Sequence, residues 1–148
     1  MATTSVPLCV GMMSPHDVAG CEQTSRLYVA DWQCVWRVSA DGADPRRWLP
    51  ATPDDDDDKI NPWTLSVTAR TDVLVTLPDV RQLALYDSTG SELRRIRLPG
   101  HCVPRHAVLQ AVSGTIVVSL ANTQLDQDQV GLDLTIENCV GPLQGWPI

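Results

Sequence analysis

Val35-Trp36-Arg37-Val38-Ser39-Ala40-Asp41-Gly42-Ala43-Asp44-Pro45-Arg46-Arg47-Trp48 lies without a gap over Leu83-Ala84-Leu85-Tyr86-Asp87-Ser88-Thr89-Gly90-Ser91-Glu92-Leu93-Arg94-Arg95-Ile96, at an offset of 48 positions. Gly42 meets Gly90, Arg46 meets Arg94 and Arg47 meets Arg95 in this register. Each stretch reads as an apolar strand, a turn and a second strand. The glycine stands where the hairpin must reverse, and a residue without Cβ supplies the positive φ such turns need.

A second anchor is independent of the first. Pro15, Pro62 and Pro104 are separated by 47 and 42 residues, and the next apolar runs start 12, 11 and 11 residues after them, at Leu27, Val73 and Thr115. Working outward from both anchors gives a unit of four short strands. The first strand covers roughly 16–21, 63–68 and 105–111, and the second 27–31, 73–77 and 115–119. The third covers 34–39, 82–87 and 130–136, and the fourth 46–49 and 93–98. Gly114 turns the first hairpin of the third unit.

A period of about 40–50 residues with four strands per unit is the pattern of β-propeller blades. The expected fold is all-β, a partial propeller of tandem four-stranded antiparallel blades. Residues 1–14 precede the first blade (15–50). An acidic inter-blade loop (51–61), a second blade (62–99), an incomplete third (100–136) and a tail (137–148) follow. Blades bury both faces against their neighbours, which accounts for strands apolar nearly throughout, such as Val73–Leu77 and Ile116–Val118. The outermost strand needs protection from foreign strands, and Arg46, Arg47, Arg94, Arg95 and Arg97 fall there. A helical reading fails, because Pro, Gly or β-branched clusters break every helical apolar stripe.

Composition agrees. The chain has 148 residues, no Phe, 5 Trp and 11 Pro. The segment Asp54-Asp55-Asp56-Asp57-Asp58-Lys59 holds five acids and one base, so −4 of the net −7 lies there. With one Lys and scattered Arg, the chain is poorly suited to neutralise phosphates, and nucleic acid is an unfavoured partner. Met1–Met13 has neither a basic start nor a long apolar core, so it does not read as a secretory signal. No stretch approaches the ~20 apolar residues of a membrane span, and no membrane association is expected. Cys9, Cys21, Cys34, Cys102 and Cys139 are odd in number and irregularly spaced, with no CxxC. They read as reduced, mostly buried thiols of a cytoplasmic protein.

Leu27-Tyr28-Val29-Ala30-Asp31 followed by Val35–Gly42, and Gln82–Gly90 in the second unit, resemble NHL-type repeats. The pattern is an apolar run, a short loop, a strand ending near Asp, then Gly. The resemblance covers roughly 14–120, and residues 121–148 depart from it. It implies a six-bladed ring that serves mostly as a platform for proteins, RNA or other ligands, with some lactonase-like or lyase relatives. Two blades and most of a third leave blade faces open, so the expectation is a partial chain, a truncated product, or association with further blades or with itself.

Antiparallel order places the connections 31–34, 50–62, 78–82, 98–104 and about 120–129 at one end, and these look like the longest and most polar. Loops on a rigid scaffold carry function. The candidate partner-binding face is therefore Trp32, Asp54, Asp55, Asp56, Asp57, Asp58, Asp79, Arg81, His101, Asn122 and Gln124, with Asp126 and Asp128 beside them. Five consecutive Asp lack the spacing and Gly turn of a calcium loop, and read as a solvated loop. Asp55–Lys59 also matches the recognition sequence of enteropeptidase. His16, His101 and His106 have no ligand partner at chelating spacing apart from adjacent Cys102, so no metal or cofactor is expected. His16 and His106 open equivalent first strands, a structural place near the axis. No Gly-x-Ser-x-Gly turn surrounds Ser39, Ser66 or Ser119. Trp36, Trp48 and Trp63 read as blade core, and Trp32 as either ligand anchor or loop packing.

The expected function is a non-enzymatic scaffold that binds a protein partner through this loop face. The alternatives are a fragment of a metal-dependent, lactonase-like propeller hydrolase and an RNA-binding propeller.

Overall fold

The computed structural model of the chain describes residues 12–50, 60–98, 102–122 and 130–136. Their strands are β1 (Asp17–Cys21), β2 (Arg26–Asp31), β3 (Cys34–Ser39), β4 (Arg46–Leu49), β5 (Leu65–Val67), β6 (Val73–Leu77), β7 (Gln82–Tyr86), β8 (Glu92–Arg97), β9 (Cys102–Gln110), β10 (Thr115–Asn122) and β11 (Val130–Ile136). They form three antiparallel meanders: β1-β2-β3-β4, β5-β6-β7-β8 and, among the described residues, β9-β10-β11.

The repeat register holds at the level of single hydrogen bonds. In the first sheet Ser39 N–H donates to Ala43 O at 3.0 Å and Gly42 N–H to Ser39 O at 2.8 Å. Forty-eight positions on, Asp87 N–H donates to Ser91 O at 2.9 Å and Gly90 N–H to Asp87 O at 3.0 Å. Gly42 and Gly90 sit at φ +85° and +90°, the left-handed region that both turns demand. At the opposite end His16 N–H donates to Ala30 O, and Trp63 N–H to Thr76 O, each at 3.0 Å. His16 and Trp63 are therefore equivalent residues of successive units.

The sheets stack face to face. Cys21, Tyr28, Ala30, Val35, Trp48 and Leu49 of the first meet Leu65, Val73, Val75, Leu77, Ala84 and Tyr86 of the second. The opposite face of the second sheet, with Leu74, Leu83, Leu85 and Leu98, meets Ala107, Ile116, Val118 and Leu120 of the third. A central strand buried on both faces has no use for alternation, and every residue of β6 is buried. Burial at about 25 cal/mol per Å² makes these two interfaces the main stabilising term.

The innermost strands stand side by side. Leu65 N–H donates to Asp17 Oδ2 at 2.8 Å. Thr64 Oγ1 donates to Arg105 O at 3.0 Å, and Ser66 Oγ to Ala107 O at 2.7 Å. β1, β5 and β9 thus lie beside a common axis, with the Arg-bearing β4 and β8 at the outer edges. This is blade geometry.

Two expectations need correction. The connections at the loop end are not uniformly the longer ones: β2 and β3 are joined by Trp32 and Gln33 alone, against residues 40–45 between β3 and β4. Gln33, at φ +64°, permits the tighter reversal. Nor is the outer face of the first sheet open throughout. Val29, Cys34, Trp36 and Val38 are at most 8% exposed and cluster with Met12 and Leu27, while Val18 on the same face is 57% exposed.

Candidate functional site

The meander order brings the segment before β1, the β2–β3 and β6–β7 connections, the end of β4, the start of β5, the end of β8 and the start of β9 to one end of the stack. Its floor is set by Asp31, the last residue of β2. This carboxylate is 1% exposed, and an unpaired charge there would cost several kcal/mol. It is fully supplied with donors. Met13 N–H donates to Oδ2 at 3.0 Å, Ser14 N–H to Oδ1 at 2.6 Å and the Trp36 indole N–H to Oδ2 at 3.1 Å. Burial pushes the carboxyl upward, but backbone donors from Ser14, Met13 and Trp32 and the Trp36 indole outweigh it, holding Asp31 below the ordinary carboxylate range. Burial and the neighbouring Asp31 charge push the Cys34 thiol up, which keeps it protonated and unreactive.

Asp31 thereby fastens residues 12–16 across the end of the first sheet, and His16 extends the tie to the second. Its Nδ1 lies 2.9 Å from Ser14 O and its Nε2 2.8 Å from Pro62 O. The imidazole packs on the Trp63 indole, with ring centroids 5.1 Å apart and planes inclined by 30°. Trp63 is 50% exposed and Trp32 56%. Both indoles therefore stand at this end with substantial open surface; Trp63 N–H is held by Thr76 O and Trp32 backbone N–H by the Asp31 carboxylate.

Trp63 corrects the expectation that it belongs to the blade core, whereas Trp36 and Trp48 fit it at 8% and 6% exposure. It precedes β5 by two residues, at the end of the stack, and its ring packs on His16 of the first unit.

Asp79 and Arg81 occupy the β6–β7 connection, a 3-10 turn over Pro78–Val80 closed by Arg81 at φ +55°. Asn61 Nδ2 donates to Asp79 Oδ2 at 2.6 Å, joining the β4–β5 and β6–β7 connections. Arg81 O accepts from Leu98 N–H at 3.0 Å. Trp32, Asp79 and Arg81 thus all lie at this end. Asn122 closes β10, paired with Cys102 across the strands. Asp54–Asp58, His101, Gln124, Asp126 and Asp128 lie outside the described residues, as does the enteropeptidase recognition sequence at Asp55–Lys59.

His16 and Arg105, absent from the expected binding face, belong to this end. The shared position immediately after each opening proline was the available signal. Among the described residues no three His, Cys, Asp or Glu side chains are grouped as a metal site, and none of the helices is long and apolar enough to cross a membrane.

No family model matches the chain, and no curated protein matches it. Solved structures do. A luciferin-regenerating enzyme is similar over 80% of this chain and 41% of its own, with 13% identity and a TM-score of 0.60. Virginiamycin B lyase from Staphylococcus aureus is similar over 80% and 40%, with 12% identity and a TM-score of 0.55. Kuenenia stuttgartiensis hydrazine synthase is similar over 84% and 37%, with 12% identity and a TM-score of 0.58. The chain spans about two fifths of the length of these structures. At such identities the likeness is one of fold: the chain has the architecture of a portion of a β-propeller.

Proposed function

We propose that the chain is a non-enzymatic binding module, with blades of NHL type, that engages a protein partner through the loop end. The observation that carries this is the pair of half-exposed indoles at one end, Trp32 in the two-residue β2–β3 turn and Trp63 just ahead of β5 with its ring on His16. Aromatic side chains dominate binding hot spots when they are already ordered, because docking then costs little side-chain entropy. Asp79 and Arg81 beside them supply the polar rim that sets orientation. The NHL-type assignment rests on the Leu27–Asp31, Val35–Gly42 and Gln82–Gly90 pattern.

The test compares proteins captured by the unaltered chain and by a Trp32→Ala, Arg81→Ala double variant. Loss of the captured set with an unchanged melting temperature supports the reading; an unchanged set overturns it. The enzyme alternative, a metal-dependent hydrolase, separates cleanly in a thermal-shift scan with Ca²⁺ and Zn²⁺. Binding to the native state raises the melting temperature in proportion to ligand excess over Kd.

A further inference from the structure

Each repeat opens with a proline, and the residues that follow are His16, Trp63 and Arg105. The first two are equivalent by their backbone bonds to Ala30 and Thr76. The third is placed differently. Ser119 pairs with His106 and Leu120 with Pro104, so Arg105 is the extra residue of a β-bulge in β9. Bulges re-aim a side chain where a regular strand would not. Arg105 is exposed, and its carbonyl is held by the hydroxyl of Thr64, the residue after Trp63. The backbone of Arg105 is therefore tied to the residue that follows Trp63, across neighbouring innermost segments of the second and third sheets.

The state of each group decides what the trio recognises. Both His16 ring nitrogens face carbonyl oxygens, so the imidazole is committed to positioning and backs the indole. One side of Trp63 is taken by His16, and half of the residue stays open. Arg105 is in neither of the ion pairs Arg46–Asp44 and Arg95–Glu92. A guanidinium offers a planar fork of donors suited to a carboxylate, and an indole offers a flat apolar surface. The sequence also carries five successive Asp before Lys59, in a segment ending just ahead of Pro62. That charge repels a polyanion more strongly than a single carboxylate.

We infer that Trp63 and Arg105, backed by His16, form a site for an acidic peptide segment of the partner. A Glu or Asp carboxylate sits on the Arg105 guanidinium, and a neighbouring apolar side chain lies on the open part of the Trp63 ring. This rests on the loop-end reading and adds the chemistry of the partner.

The test titrates the full 15N-labelled chain with a capped peptide, glycine-phenylalanine-glutamate-glycine, and with its glutamine counterpart. The expected result is movement of the Trp63 indole N–H and Arg105 Nε–H signals, with the glutamate peptide bound about three- to fivefold tighter, as befits one exposed ion pair. Arg105→Gln should remove that preference, and Trp63→Ala should weaken both peptides, each variant keeping a dispersed native spectrum. Equal binding of the two peptides, shifts confined to Trp32, or no shift at millimolar peptide would overturn the inference. Should Trp32→Ala, Arg81→Ala abolish partner capture while Arg105→Gln leaves it intact, the loop-end reading stands and this site falls.

Discussion

The indole N–H of Trp48 donates to the carbonyl oxygen of Ser88, 3.3 Å away and 40 positions further along the chain. The bond joins the outer strand of the first blade to the β7–β8 hairpin of the second. Its ring also packs on those of Tyr28 and Tyr86, with centroids 4.7 Å and 6.0 Å away, so one side chain ties the two sheets together from core to rim.

The hairpin glycines give a controlled comparison. Gly42 and Gly90 have nearly the same positive φ, so alanine costs each about 1 kcal/mol of backbone strain. A Cβ at Gly42 meets nothing within 4 Å, but at Gly90 it would lie 3.3 Å from Trp48 Nε1 and 3.4 Å from Trp48 O. Urea denaturation should therefore show Gly90→Ala as the more destabilising by roughly 0.5–1 kcal/mol. Equal losses would mean that the two blades do not meet at that hairpin.

Asp31 predicts a specific acid sensitivity. Its folded-state pKa is lowered, so its contribution is present above the unfolded value of about 3.9 and is lost as pH falls through the folded value. Asp31→Asn should cost about 1–3 kcal/mol at pH 7, since one acceptor is replaced by a donor facing backbone N–H groups. It should also flatten the stability curve below about pH 4. Calorimetry across pH 2–7 checks both; a variant with the parental acid limb would contradict the assignment.

Asp72 carries the opposite sign. Burial pushes its carboxyl up, with Arg70 opposing and Asp87 adding to the rise. Its contribution is present below the unfolded pKa and lost as pH rises through the folded one, so the ionised form is a liability at neutral pH. Asp72→Asn should raise the melting temperature at pH 7 and leave it nearly unchanged at pH 3. A drop at pH 7 would show that the charge is used.

The His16 tie can be separated from its neighbours. His16→Ala removes the contacts to Ser14 O, Pro62 O and the Trp63 ring. The expected cost is about 1–2 kcal/mol, with faster hydrogen exchange at Trp63 N–H but not at Gly90 N–H. Uniform acceleration at both would point to global loosening instead.

Strand positions were readable from sequence because the repeat is written twice, once in the Gly–Arg–Arg register and once in the prolines. Val73–Leu77 and Cys34–Ser39 emerge with the expected bounds. Three things did not show. Trp63 resembles a core residue by type, and only its distance from β5 exposes it. Asp31 looks like a turn residue, while two of its donors come from backbone 17 and 18 positions earlier. The bulge at Arg105 is a single unpaired residue in β9 that no local pattern announces. Periodicity reports register; it is silent on which end of a strand meets solvent.

Three meanders stand side by side with β1, β5 and β9 innermost. Inter-strand nuclear Overhauser contacts test this arrangement directly. The account predicts cross-peaks between Asp17 and Leu65 and between Ser66 and Ala107, together with the ladder from Val73 to Tyr86. Helical sequential contacts across residues 62–98, or a ladder joining β4 to β5 within one continuous sheet, would contradict it.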